Sequence, residues 1–287
     1  MTVYIYPNLK KNNARECTIE VCEILHSNNA KILMQSEHIE TVALDYVEFI
    51  NGNDRLNECD VIVCIGGDGT ILRAASLAIK YDCDVLGINC GRLGFMSSLE
   101  RCDISRLSDL CCGKYAIESR MMLDVIITKP DGTEIISHAL NEAVISRGVA
   151  SKIQDFTVIA DGVTISSLRA DGLIFSTPTG SSAYSLSAGG PIIEPTIECI
   201  EFTQICPHSL SSRTMLISPN RLIEVKYNAN KGSKIAVSVD GRTPTELSPL
   251  DRLFIKKSEF KVDFIDMSAN NYFKSIGTKL MQPTKDA

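Results

Sequence analysis

"DVIVCIGGDGTILRAA", residues 60–75, is the stretch that decides the fold class. Val61 to Ile65 are apolar without a break, which reads as a strand buried on both faces and so belonging to a parallel sheet. The run ends in Gly66-Gly67-Asp68-Gly69-Thr70, and helical spacing follows over residues 70–80. A glycine-rich turn between a buried strand and a helix attracts anions, through its bare amides and the positive end of the helix. Asp68 sits in the middle of that turn, where a carboxylate repels the anion the turn invites.

The same alternation runs outward on both sides. "TVYIYP" near the N-terminus reads as a strand, residues 13–27 as a helix with apolar spacing at Ile19, Val21, Cys22, Ile24 and Leu25, and "KILM" as a second strand. After the helix of residues 70–80, "CDVLGIN" returns as a strand. Strand and helix alternating at this spacing predict an α/β domain, Rossmann-like, with a mostly parallel sheet covered on both faces. From about residue 119 the texture changes. "MMLDVIITKPDGTEIISHALNEAVISR" reads as two strands joined at Pro130-Asp131-Gly132, and "DFTVIADGVTISSL" as a hairpin turning at Asp161-Gly162. Strand patterns with turn signals between them continue from residue 221 to residue 267. The chain therefore divides into an α/β domain at 1–118 and a β-rich domain at 119–265. The tail 266–287, with helical spacing at Tyr272, Phe273, Ile276 and Leu280, completes the first.

Composition narrows the function. The 287 residues are 44% hydrophobic and carry a net charge of −6 with no basic block, which argues against nucleic acid as the main partner. No segment approaches the roughly 18 apolar residues of a membrane span, and the N-terminus is too short and polar for a signal peptide. Eleven cysteines are scattered without a CxxC pair, which suits reduced, largely buried thiols in a cytoplasmic protein better than a zinc site; no metal-ligand set stands out.

Four stretches can carry chemistry. The first is the opening turn, which fits neither the Walker A nor the dinucleotide GxGxxG pattern. Thr70 can cap or begin the helix. Asp68 is either an N-cap carboxylate or a group facing phosphates across a divalent metal or a hydroxyl proton, as phosphoryl transfer requires. Arg73, one turn on, either reaches the same pocket or is solvated. The second is "SHALNEAVISR", 137–147, where Asn141-Glu142 interrupts an apolar β segment and either marks a bulge or strand end, or lines a site. The third is "LRADGLIFSTPTGSSAYSLSAGGPII", 168–193. Its strand leads into Thr177-Pro178-Thr179-Gly180-Ser181-Ser182 and then into a helix rich in small residues. Tyr184 offers a stacking face, and Arg169 and Asp171 flank the strand's start with opposite charges. A plain helix-capping loop and a donor-rich corner for a flat ligand both fit. The fourth is "ICPHSLSSR", whose His208 reads as structural or surface rather than catalytic.

"GGDGT" at 66–70, "NEAVISR" at 141–147, "ADGLIFSTPTGSSAYSLSAGGPI" at 170–192 and "CPHSLSSR" at 206–213 occur in an order that resembles the NAD kinase family, and the likeness spans most of the chain from about residue 60. The resemblance implies an NAD kinase/diacylglycerol kinase-like fold, and transfer of a phosphoryl group from ATP or another donor to the 2′-hydroxyl of the adenosine ribose of NAD, with Mg²⁺ or another divalent cation. It implies Asp68 as the proton acceptor, Gly69 at the nucleotide with Gly67 and Thr70 of the same turn, and Arg73 beside the phosphates. Asn141 and Glu142 would contact NAD, Asn141 toward the adenine end. Asp171 would hold the nicotinamide end with Arg169 nearby. Ser182, Ala183, Tyr184, Ser185, Leu186 and Ser187 would line the dinucleotide groove beside Thr179. Lys152 falls where many members carry Arg, and Asp240 and Arg242 lie near a family binding position. A homodimer or homotetramer is implied. Two other classes remain for comparison, a lipid or sugar kinase sharing the GGDGT turn and a non-catalytic nucleotide sensor.

Overall fold

A computed structural model describes residues 1–91, 94–148, 152–228, 234–267, 272 and 276–277. It divides into two compact units, Met1–Ser119 with the chain from Val262 onward, and Arg120–Lys261.

In the first unit the apolar run of residues 61–65 is the strand Val61–Gly66, buried along its whole length. It pairs in parallel with Thr2–Pro7 on one side and Asp84–Asn89 on the other. Lys31–Gln35 and Glu48–Ile50 extend the sheet beyond Thr2–Pro7, again in parallel. Phe264, near the end of the long strand Arg252–Asp266, pairs in parallel with Val85 of Asp84–Asn89. Successive strands thus leave Thr2–Pro7 in opposite directions, and the ends of Thr2–Pro7 and Val61–Gly66 meet at Pro7 and Ile65. Such a reversal opens a crevice at the carboxyl ends of the strands, where α/β sheets bind ligands. The helices Ala14–Ser27 and Asp68–Tyr81 follow the first and fourth strands of this unit. Val3, Ile5, Val21, Leu25, Val63 and Ile88 are among the residues of its core.

The helix after the glycine turn starts at Asp68, two residues before the spacing predicts. Gly67, extended, is the N-cap, so Thr70 neither caps nor begins the helix. Its hydroxyl is instead buried against Gly66, where an added Cβ would come within 2.5 Å of Thr70 Oγ1. Of the tail only 266–267, 272 and 276–277 are described; the rest of its expected helix, Phe273 and Leu280 included, lies outside the described residues.

The second unit holds an antiparallel sheet in the order Met215–Ile217, Ile200–Ile205, Gly172–Ser176, Glu142–Arg147, Ile235–Val239, Thr245–Leu247. A second antiparallel set runs Val163–Ala170, Gln154–Ala160, Ile223–Asn228 and the start of Arg252–Asp266. Ala116–Thr128 and Glu134–Ala139 form a further hairpin. Phe156, Val158, Leu173, Phe175, Phe202 and Val225 are in the core, with Phe175 and Phe202 stacked at 5.1 Å.

Two expectations here are corrected. The stretch from Met121 to Arg147 makes three strands, not two, because the chain leaves its pairing with Ala116–Thr128 at Leu140-Asn141 and enters the six-stranded sheet as Glu142–Arg147. The helix after the TPTG loop is a 3-10 turn, Thr179–Ser182, and a single helical turn, Tyr184–Ser187, since Ala183 at φ −99, ψ −122 lies outside helical geometry. Among the described residues no helix is long and apolar enough to cross a membrane.

Candidate active site

The Asp68 side chain does not cap its own helix. Its Oδ2 accepts the amide of Phe95 at 3.0 Å and its Oδ1 that of Met96 at 3.3 Å. Gly94 makes room for this, because a Cβ there would stand 2.1 Å from Asp68 Oδ1. The carboxylate is fixed by amides from another loop yet stays half-exposed. Each of its oxygens keeps a lone pair for an incoming hydroxyl.

The repulsion posed by that carboxylate is met from the loop after the first strand. Asn8 donates its amide to Ile65 O at 2.8 Å, tying this loop to the end of Val61–Gly66. The ammonium of Lys11 then lies over Gly67, where a Cβ would be 2.4 Å from Lys11 Nζ. Beside the turn opens a cavity of about 600 Å³ lined by Asn8, Lys10, His38, Thr41, Thr70 and Arg73, among others. Arg73 is exposed and faces it, so the solvated and pocket readings of this residue merge. Gly69 is exposed with open space around its Cα.

In the second unit the Asn141-Glu142 pair sits in a corner built from backbone hydrogen bonds. The Asp240 carboxylate, 1% exposed, accepts three successive amides, from Leu140 at 2.9 Å, Asn141 at 2.8 Å and Glu142 at 3.1 Å. On the carbonyl side, Asn141 O accepts the amide of Thr177 at 2.9 Å and the hydroxyl of Ser176 at 3.2 Å. The Thr177 hydroxyl donates to Leu140 O at 2.5 Å. Gly180 is required by close approach, since a Cβ there would lie 2.2 Å from Asn141 O. Three amides on one carboxylate are why the chain leaves the ladder here. Asn141 Oδ1 and Glu142 Oε2 are both buried and accept no hydrogen bond among the described residues. Burial, then the neighbouring carboxylates of Asp240 and Glu201, push the Glu142 carboxyl up to about 7. Acceptors left open in this way suit a ligand rich in hydroxyl or amino donors.

The remaining expected residues have different environments. Thr179 is buried and its hydroxyl accepts Arg120 Nη1 at 3.3 Å. Ser182, Ala183 and Leu186 are half-buried, while Tyr184 and Ser187 are exposed. Ser185 is fully buried and turned inward, its hydroxyl 2.9 Å from Thr203 Oγ1. Asp171 pairs with Arg147 Nε at 2.7 Å. Arg169 does not pair with it; its guanidinium bonds Asp155 Oδ1 at 2.6 Å, one strand away. Lys152 is exposed, and its carbonyl accepts the Gln154 side-chain amide. His208 donates its amide to Arg169 O at 2.8 Å, a structural tie. Arg242 Nη2 stands 3.9 Å from Asp240 Oδ2.

Sequence reasoning passes over Lys11, Arg120, Arg147 and Glu201. Lys10-Lys11 directly after the first strand was a legible signal of a cationic loop at the sheet's carboxyl end. The other three gain meaning only through strands distant in sequence.

Comparison with known proteins agrees along the chain. Residues 3–112 match the ATP-NAD kinase N-terminal domain and residues 140–267 the ATP-NAD kinase C-terminal domain. An NAD kinase of Blochmanniella pennsylvanica is 37% identical over 259 residues, covering 89% of this chain and 86% of its own. Among solved structures, yeast NADH kinase complexed with NADH superposes with a TM-score of 0.89 at 26% identity, covering all of this chain and 89% of its own. An NAD kinase from Archaeoglobus fulgidus in complex with ATP does so with a TM-score of 0.74 at 25% identity, covering 96% and 97%. Lipid kinases, sugar kinases and sensors are set aside by matches of this length to one activity. With the GGDGT turn, the Asn141-Glu142 corner and both family domains present in a single chain, it belongs to the NAD kinase family, ATP-dependent kinases that make NADP from NAD.

Proposed function

We propose that Asp68 receives the 2′-hydroxyl of the adenosine ribose of NAD, accepting its proton as the phosphoryl group arrives. The observation that carries this role is the holding of the Asp68 carboxylate by the amides of Phe95 and Met96, outside its own helix. A helix cap needs no such cradle, whereas a group that must meet one hydroxyl in one orientation does. A ribose hydroxyl is a very weak acid, so the proton leaves as the new P–O bond forms, and positioning and electrostatics supply most of the acceleration.

In this reading residues 1–118, with the tail 266–287, bind ATP. Gly67, Gly69, Thr70 and Arg73 surround its phosphates, with Lys11 over the turn and the cavity toward His38 and Thr41 open for the nucleoside. ATP arrives with Mg²⁺ or another divalent cation, which screens the triphosphate from Asp68. Residues 119–265 bind NAD and carry the oligomer contacts. Asn141 and Glu142 accept donors from NAD, and Thr179 and residues 182–187 line its groove, with Tyr184 as a stacking face. Asp171 holds the nicotinamide end; Lys152 and Arg169 stand at the periphery. The ATP complex of the Archaeoglobus protein and the NADH complex of the yeast protein support these two ligands here. A homodimer or homotetramer in the cytoplasm completes the proposal.

The test is Asp68→Asn, which keeps the size and one of the two acceptor oxygens and removes the charge. NADP formation is expected to fall by about three orders of magnitude or more, within the range of losing a base and its electrostatics together. NAD binding by calorimetry is expected to persist. Near-parental turnover by this variant would remove Asp68 from the chemistry.

A further inference from the structure

Glu201 is fully buried on the strand Ile200–Ile205. Register pairs it with Ser176, and Ser176 with Glu142, so the three side chains stand side by side on one face across three adjacent strands. Gly190 lies against it, since a Cβ there would come 2.2 Å from Glu201 Oε1 and 2.5 Å from Ser185 Oγ. Thr203 Oγ1 donates to Glu201 Oε1 at 3.4 Å and stands 2.9 Å from Ser185 Oγ, leaving a chain of groups from Glu201 into the Tyr184–Ser187 turn. The other carboxyl oxygen, Oε2, is buried and has no partner among the described residues. A carboxyl in such a place costs stability, and Leu216, paired with Glu201 on its other side, offers no charge to offset it.

We propose that Glu201 is a positioning residue of the NAD site, seating the Tyr184–Ser187 turn through Thr203 and Ser185, and that the charge on its carboxyl sets how well this turn holds NAD. The proposal rests on the reading that residues 182–187 line the NAD groove. Neutral, the acid fits its surroundings of hydroxyls and apolar groups. Ionised, it adds a second negative charge beyond Ser176 from Glu142. Burial pushes its carboxyl up to about 7, with the hydrogen bonds of Ser185 and Thr203 acting against that rise. The titratable groups around it are Glu142, on which Asp240 also acts, and Cys199 two residues before it. Ser176, Thr203, Ser185, Gly190 and Leu216, which adjoin it, do not titrate.

The experiment measures kcat and KM for NAD, and NAD dissociation by calorimetry, at about pH 6 and about pH 8.5, where the neutral and charged forms prevail. Glu201→Ala is expected to weaken NAD binding about tenfold with kcat within about twofold, the loss of a seat rather than of chemistry. Glu201→Gln is expected to recover most of that loss. Relative to the parent, its binding is expected to improve about threefold from the acid to the alkaline condition, because it cannot ionise. NAD affinity unchanged in Glu201→Ala, or a Glu201→Gln to parent ratio constant with pH, overturns the proposal. Tyr184→Ala separates the two layers. If it weakens NAD binding while the Glu201 variants do not, the positioning role alone fails. If it leaves NAD binding intact, the groove reading fails and takes the role with it.

Discussion

Asp240 is the residue on which the Asn141-Glu142 corner turns. It sits at φ +49, a left-handed conformation that Asp and Asn tolerate better than most side chains, and its carboxylate gathers the amides of Leu140, Asn141 and Glu142. Burial pushes its carboxyl up, and the three amides oppose that rise. Asp68 is held in a similar way by two amides but remains half-exposed, which separates a carboxylate that builds a corner from one free to meet a substrate. Asp240→Ala leaves three buried amides without an acceptor and strains the backbone, so a loss of ~3 kcal/mol or more is expected. Asp240→Asn retains one acceptor and the backbone preference, and is expected to lose less. Urea denaturation of the two variants checks the order; equal and small losses would mean that the corner is held elsewhere. From sequence, Asn141-Glu142 was legible as a polar interruption of an apolar strand. The cause of the interruption was not, since Asp240 lies 98 to 100 residues beyond the amides it binds.

At the scale of elements, periodicity revealed what local physics controls. The unbroken apolar run of Val61 to Ile65 is a central parallel strand, and Asp161-Gly162 turns a hairpin with both residues at positive φ. What periodicity could not reveal was set by tertiary contact: Gly67 as the N-cap, the break at Ala183, and Arg169 facing Asp155 instead of Asp171. The three strands bearing Glu142, Ser176 and Glu201 show the same limit, because only their register brings two carboxyls onto one face. Glu142 and Glu201 are both pushed up to about 7 from 4.5. Each keeps its proton in the folded chain over a range where the unfolded chain has released it. Stability therefore falls as pH rises from about 4.5 to about 7 and levels off above, by at most ~3 kcal/mol for each group. Glu201→Gln removes one such loss. It is expected to be more stable than the parent near pH 8 by ~1–3 kcal/mol, and closer to it near pH 4.5. Urea midpoints at the two pH values measure this. A variant that retains the whole parental decline would show that Glu201 is ionised at little cost.

For the whole molecule, the cysteines report on how much of the chain is packed. Each unit has its own core, and thiols take part in the first as small apolar groups, Cys17 and Cys22 on the helix Ala14–Ser27 and Cys90 after the strand Asp84–Asn89. All eleven are free; seven are buried, Cys111 is intermediate, and Cys102, Cys112 and Cys206 are exposed. Their scatter without paired spacing was enough to suggest buried thiols, but not which ones, because burial depends on the sheet order that brings distant segments together. Burial pushes the Cys22 and Cys59 thiols up to about 12 and that of Cys83 to about 11, and raises that of Cys64 further. The thiolate is the reactive form, so these groups are protected twice, by exclusion of the reagent and by retention of the proton. An aromatic disulfide reagent at neutral pH is therefore expected to modify three thiols rapidly in the native chain, Cys111 more slowly and the other seven only as the fold opens, with all eleven reacting in guanidinium. Peptide mapping of the fast fraction should return Cys102, Cys112 and Cys206. Rapid native modification of Cys22 or Cys64 would mean that the sheet and helix covering them open far more often than a packed core allows.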